Sequence, residues 1–352
     1  MTRARVRPQR VSPARACAFA VVRRVFEHGA YADRALTAQA AGLEPRDRAL
    51  AQAIAYGTVQ RVATLDHVAR QLVTRDLGDL EPAVLAAIRI GLYQLLFMGG
   101  IATHAAVGEA VELAKGASRA GAGLVNAVLR RAAAEAERLF EGLRDDTPEG
   151  AAILHSVPEW LARLWWDELG ADTALALLAR INEPAESALR LNALAGAPAE
   201  IAARVPARHH PVPELPEGIV LDEPFDAHAS ELWREGEVMP QSRGSMLVAR
   251  ILAPRSGDSV LDLCAAPGGK TTHLAALMGD RGRVLAVERH PGRAAALRRT
   301  ARRMHAGSVE VRQADAQQAV GERFDRVLVD PPCSGLGTLQ SRPDRRWRCL
   351  LY

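Results

Sequence analysis

The chain has 352 residues, 48% hydrophobic and 24% charged, with a net charge of +4. That length buries a core and holds two or three domains, and the composition excludes a disordered, collagenous or membrane-embedded class. Of the 45 basic residues all but Lys115 and Lys270 are arginine, a bias that a GC-rich genome explains and against which Lys270 stands out.

The N-terminal stretch MTRARVRPQRVSPAR carries Arg3, Arg5, Arg7, Arg10 and Arg15 with no signal-type apolar core after it. It reads as a disordered arm attracted to RNA. Residues 14 to 140 then read as helix after helix. ARACAFAVVRRVFEHG, PRDRALAQAIAYGTVQR, TLDHVARQLV, PAVLAAIRIGLYQLLFMG, THAAVGEAVELAKGA and GLVNAVLRRAAAEAERL carry apolar residues three and four apart. Pro45 and Pro82 suit first-turn positions, and Gly29, Gly42 and Gly78 suit the breaks. The most apolar segment is interrupted by Arg89 and is too short for a membrane span. An all-helical domain is expected over 1–142.

Residues 143–240 change character. PEWLARLWWDELG and DTALALLARINEP read as two helices, followed by short β-like pieces, SALRLN and GIVL, among Pro-rich turns such as HHPVPELPEG. A small α+β module is expected here. Over 241–352 the pattern is strand, helix, strand, helix: VLDLC, RVLAVE, VEVRQ and RVLVD are the strands, with GGKTTHLAALMG and GRAAALRRTARRM between the first three. Such alternation predicts a parallel, doubly wound sheet.

In VLDLCAAPGGKTTHLAALM the first strand drops into a glycine turn and then a helix. The GGKT tail resembles a phosphate loop, but Cys264 stands where that motif needs glycine, and GxGxxG is absent. What remains is a tight turn in which Gly268 and Gly269 would let a ligand approach the backbone. Glu288 ends the second strand, where an acid holds a ribose diol, Asp315 follows the third, and Asp330 ends the fourth. Each acid taken singly is also a strand or helix cap. Together they suit a nucleoside bearing an amine, not a pyrophosphate, and S-adenosylmethionine fits.

RVLVDPPCSGLGT places a carboxylate, Asp330, and a thiol, Cys333, at the sheet's carboxyl edge on a turn stiffened by two prolines. An amino-group methyltransferase sets an aromatic after the prolines. A thiol there points to C5 methylation of a pyrimidine: the thiolate adds to C6, C5 becomes nucleophilic, and a base later removes its proton. Asp330 would bond the N3 or N4 edge of a base splayed from its stack. The alternative for Cys333 is a small buried hydrophobe. The four cysteines, Cys17, Cys264, Cys333 and Cys349, form no CxxC pair, which argues against disulfides or zinc and for a reducing, cytoplasmic interior.

Over nearly its whole length the chain resembles the bacterial RsmB (Sun) family of 16S ribosomal RNA 5-cytosine methyltransferases, whose N-terminal domain is NusB-like. The resemblance is carried by AYADRAL, IRIGLYQLLF, HAAVGEAVELAKG, GLVNAVLRR, HSVPEWL, LRLN, MPQSRGSMLVA, VLDLCAAPGGKTTHLA and DPPCSGLGTLQSRPDRRW. It implies an all-α NusB-like RNA-binding domain, a small α+β module and an α/β Rossmann-like methyltransferase domain. It implies S-adenosylmethionine as cofactor, held by Cys264, Ala265, Ala266, Pro267, Gly268, Gly269 and Lys270. Glu288 would hold the ribose, Asp315 the adenine side, and Asp330 would lie near the methionyl amine and target base. The implied substrate is 16S ribosomal RNA, unassembled or partly assembled, met by a monomer without a membrane.

The chain departs from that pattern at Gln241-Ser242, where the family has Gln-Asp, and at Glu288, where it has aspartate. In the family the nucleophile is a cysteine in a Thr-Cys pair beyond the DPPC motif, with Cys333 helping to eject the product. No Thr-Cys pair occurs before Tyr352. Two expectations follow: a truncated copy competent at most for weak cofactor binding, its sheet incomplete, or an enzyme in which Cys333 itself attacks. The helix GRAAALRRTARRM, with Arg293, Arg298, Arg299, Arg302 and Arg303 and no acid, reads as solvated or as a phosphate contact. The rival reading is a non-catalytic RNA-binding protein. A nicotinamide oxidoreductase is poorer for want of GxGxxG.

Overall fold

The computed structural model describes residues 11–318 and 321–348. The chain forms two compact units, 1–185 with 334–352, and 186–333. Arg3, Arg5, Arg7, Arg10 and Cys349 lie outside the described residues.

The first unit is helical: α1 (Pro13–His28), α2 (Ala32–Gln39), α3 (Pro45–Gln60), α4 (Val62–Leu72), α5 (Pro82–Phe97), α6 (Thr103–Lys115), α7 (Arg119–Ala134), α8 (Pro148–His155), α9 (Glu159–Leu169) and α10 (Ala171–Arg180). Proline opens α1, α3, α5 and α8, where a missing N–H costs nothing, and Gly29 closes α1 at φ +60°. Helices α2 and α8 have no separate periodic signal, since two turns are too short to show a 3.6-residue period. Arg15 corrects the expected arm. It is buried on α1, where its Nε donates to Gln94 at 2.6 Å and its Nη1 pairs with Glu109 at 2.9 Å.

Helix α5 is apolar all round because two cores claim it. Ile88 and Leu92 pack with Leu65, Val68, Val125 and Leu129, while Ala86 and Ile90 pack with Val21, Val22, Ile54 and Val59. Its interrupting Arg89 is held in a two-pronged pair with Asp66, both contacts 2.7 Å. No helix among the described residues is long and apolar enough to cross a membrane. A third core joins Leu161, Trp165 and Leu178 of α9 and α10 to Leu339. Residues 334–348 add two 3-10 turns to this unit, and their anchor is Arg346. Its guanidinium is 1% exposed and donates to the carbonyls of Ser156 (3.1 Å) and Ile181 (2.6 Å) and to Asn182 Oδ1 (2.9 Å). Burial lowers its pKa to about 9, which leaves it charged at neutral pH.

The second unit holds two four-stranded sheets. The first contains β1 (Ala188–Leu191), β2 (His209–Val212), β3 (Leu215–Leu221) and β4 (Val238–Pro240), antiparallel in the order β2-β3-β1-β4, with α11 (Pro198–Ala203) and α12 (Glu231–Arg234) between strands. SALRLN and GIVL are strands as expected. HHPV, read as turn, is an edge strand whose register shifts at Pro211, the place where a strand tolerates proline. Helix α13 (Arg243–Leu252) leads into the second sheet: β5 (Ser259–Asp262), α14 (Gly269–Leu277), β6 (Arg283–Val287), α15 (Pro291–Arg303), β7 (Val309–Arg312) and β8 (Arg326–Leu328).

This sheet is parallel, in the order β7-β6-β5-β8. The chain steps outward from β5 to β7, then returns to the far side of β5. That reversal puts the topological switch point between β5 and β8, where a crevice opens beyond the strand ends. Glu217 of β3 ties the two sheets together. Arg250 of α13 forks onto its carboxylate, and His273 of α14 donates Nε2–H to it at 2.7 Å. Burial holds His273 below the ordinary histidine range, so the ring is neutral and Arg250 supplies the compensating charge.

Candidate functional site

The turn after β5 is fixed from both sides. Leu263 N–H donates to the Leu328 carbonyl (3.0 Å) and Ala265 N–H to the Val287 carbonyl (3.1 Å). Under it sits Asp262, 1% exposed, whose Oδ2 accepts the Thr271 hydroxyl at 2.7 Å. Desolvation pushes this carboxyl up to about 6, against the pull of that hydrogen bond, and the Asp330 charge adds to the rise. Sequence reasoning missed Asp262. The available signal was a lone acid inside the apolar run VLDLC, which a buried strand end does not carry without a partner.

Gly268 adopts φ +106°, and a Cβ there would sit 2.7 Å from Leu297 Cδ1 and 3.3 Å from Thr300 Cγ2. The close approach that this glycine permits is therefore by α15. At Gly269 a Cβ would only touch Gln241 Oε1 and the Met239 methyl, both at 3.8 Å, an ordinary van der Waals contact. Arg190 of β1, fully buried, donates to Thr272 Oγ1 (2.8 Å) and to Gln241 Oε1 (2.9 Å), which docks the antiparallel sheet onto the first turn of α14. Ser242 Oγ accepts the Ser245 N–H and caps α13. Aspartate caps a helix equally well, so the Gln241-Ser242 departure keeps the local structure.

Three acids meet the turn. Lys270 Nζ lies 2.8 Å from Asp330 Oδ2, bridging α14 to the segment after β8 across the switch point. Glu288, at the tip of β6, is 5% exposed. It accepts the His290 N–H at 2.9 Å and has Arg293 Nε at 3.4 Å. Arg293 also donates to the Ala266 carbonyl at 2.9 Å, so one side chain links the acid to the turn. Burial, then the charges of Asp262, Glu288 and Asp330, raise the Cys264 thiol, which stays neutral. The turn, Glu288 and Asp330 thus form one electrostatic cluster. Asp315 stands one ion pair away, 3.8 Å from Arg289, with its Oδ1 accepting the Gln317 N–H. Cys333 is exposed on the turn past Asp330, so it is no buried hydrophobe.

This donor set suits a cationic nucleoside better than a phosphate. Asp262, Glu288 and Asp330 make the crevice acidic, and the nearby Lys270 is already spent on Asp330. A sulfonium with an amino group and a ribose matches those acceptors.

Residues 249–349 match the family described as 16S rRNA methyltransferase RsmB/F, and residues 12–134 match the NusB family. Over 347 residues the chain is 35% identical to a Synechocystis protein named "Probable ribosomal RNA small subunit methyltransferase B", covering 95% of this chain and 77% of that one. It is also 32% identical to ribosomal RNA small subunit methyltransferase B of Vibrio cholerae, over 95% of this chain and 77% of the other. The chain belongs to the RsmB family. Its NusB-like helical domain and its methyltransferase sheet are those expected of the family. The solved structure of PH0851 shares the fold at a TM-score of 0.76 and 23% identity, covering 97% of this chain and 79% of that one. A methyltransferase homologue from Pyrococcus horikoshii matches at 26% identity and a TM-score of 0.51, covering 55% of this chain and 65% of that one.

Proposed function

We propose that this RsmB-family methyltransferase moves a methyl group from S-adenosylmethionine to C5 of a cytosine in 16S ribosomal RNA. One observation carries the reading: the switch-point crevice joins a glycine turn to the Glu288 and Asp330 carboxylates, and an exposed thiol, Cys333, follows on the next turn. Residues Cys264 to Lys270 would cradle the cofactor, Glu288 would accept the ribose hydroxyls, and Asp315 would face the adenine side. When bound, the cofactor supplies an electrophilic methyl group.

The rest falls to side chains of the chain. Cys333 as thiolate adds to C6 of the flipped cytosine, forming a C–S bond and moving electron density onto C5. Asp330, half exposed beside Lys270, accepts a hydrogen bond from the N4 amine and holds that edge of the ring. Once C5 carries the methyl group, a base removes its proton. The released electron pair restores the ring double bond, the C–S bond breaks, and Cys333 leaves as thiolate.

Single-turnover transfer of labelled methyl groups to 16S RNA tests this. Transfer by the wild type should fall on the order of a thousandfold in Cys333→Ala. RNA bearing 5-fluorocytosine, which has no proton to lose at C5, should trap a covalent adduct on the wild type alone. Equal transfer by both proteins removes Cys333 as nucleophile, and transfer by neither removes the catalytic reading of this chain.

A further inference from the structure

Several cations of the second unit are matched by acids. Arg283 and Arg312 share Glu310 and Glu322 on β7 and the loop before β8, Arg243 pairs with Glu186, and Arg204 with Glu237. On the outer face of α15, Arg298 and Arg302 have no such match among the described residues. Arg298 and Arg302 lie one helical turn apart, and His305 follows on the same face. With Gly307, Val309 and Val311 they line a groove of about 600 Å³ along edge strand β7 that has no acidic residue in its walls. Among the described residues neither arginine has a carboxylate within 4.0 Å. Arg298 reaches only the Val311 carbonyl, at 3.3 Å.

Stacking like charges one turn apart costs an isolated helix a few tenths of a kcal/mol, and no acid here offsets it. An external polyanion would. The helix also points the way: Arg293, at its first turn, touches Glu288 and the Ala266 carbonyl of the cofactor crevice. Arg302 lies nine residues on, about 14 Å along the axis. We propose that the α15–β7 groove seats the phosphodiester backbone of the RNA whose target base enters the crevice, with Arg298 and Arg302 each neutralising a phosphate. The proposal rests on the reading of RNA as substrate.

The test is the salt dependence of binding of a labelled 16S RNA fragment to the full chain. Arg298→Ala/Arg302→Ala should weaken binding about tenfold and flatten the slope of log K against log salt by about 1.4, two phosphate contacts at 0.7 each. Arg283→Ala/Arg312→Ala, which removes the same charge from paired sites, should change the slope far less. S-adenosylmethionine binding by the groove variant should be unchanged, which establishes that it folds. An unchanged slope in the groove variant, or an equal loss in the paired-site variant, overturns the groove alone. A wild type that binds no RNA overturns both this proposal and the substrate reading; if it instead binds polyglutamate through the same arginines, the groove belongs to an acidic protein.

Discussion

Asp262 shows how much a single buried side chain decides in this crevice. Its carboxyl is raised to about 6, so folding favours the protonated form. That contribution is complete below the unfolded value near 4 and is lost as pH rises through 6, worth roughly 3 kcal/mol at about 1.4 kcal/mol per unit. Asparagine keeps an acceptor for Thr271 without the titration. Urea unfolding of the second unit from pH 3.5 to 7.5 should therefore show the wild type losing about 3 kcal/mol relative to Asp262→Asn. A pH-independent difference would contradict the burial argument. Gly268 is decided by shape. Gly268→Ala meets both the strained φ and Leu297, and should cost about 1–3 kcal/mol in thermal unfolding. Adding Leu297→Ala should recover none of the φ strain, so its rescue stays partial. The acids at strand tips, Glu288 and Asp330, were legible in the sequence because strand ends can be located from apolar runs. Asp262 shows in the sequence only as a lone acid in an apolar run, and the Thr271 hydroxyl that makes its burial tolerable is nine residues away and visible only in three dimensions.

At the scale of elements, the α5 run and the central strands β5 and β6 were readable because burial on both faces leaves largely apolar sequence. The β2 strand was hidden by Pro211, which is harmless only because β2 is an edge. Helix α13, whose sequence MPQSRGSMLVA was read only as a family resemblance, is defined by the Ser242 cap. The segment 334–348 was unreadable as structure, since its place in the first unit depends on Arg346 filling a nest of backbone carbonyls from α8 and α10. Trp347 Nε1–H adds a 2.6 Å bond to the Val59 carbonyl. Arg346→Met keeps the volume and removes the donors to the Ser156 and Ile181 carbonyls and Asn182 Oδ1, the last two keeping only longer bonds from Gln60 Nε2. It should destabilise the first unit by about 3 kcal/mol, read as a lowered thermal midpoint. A shift near zero would mean that the carbonyls find water.

On the scale of the whole chain, family membership follows from similarity that runs through both units, whereas chemistry follows from the second alone. The switch point between β5 and β8 is set by strand order, and strand order was not written in the sequence pattern, which gave only the alternation of strand and helix. What made the crevice legible was chemistry: a turn without a phosphate motif, ringed by acids. The most direct measurement is equilibrium dialysis of radiolabelled S-adenosylmethionine against the purified chain, wild type and Glu288→Ala. One cofactor should be retained per wild-type chain, with affinity falling at least about tenfold in the variant, as the loss of a buried charged acceptor requires. Retention of no cofactor by the wild type, or equal retention by both, would contradict the assignment of the crevice.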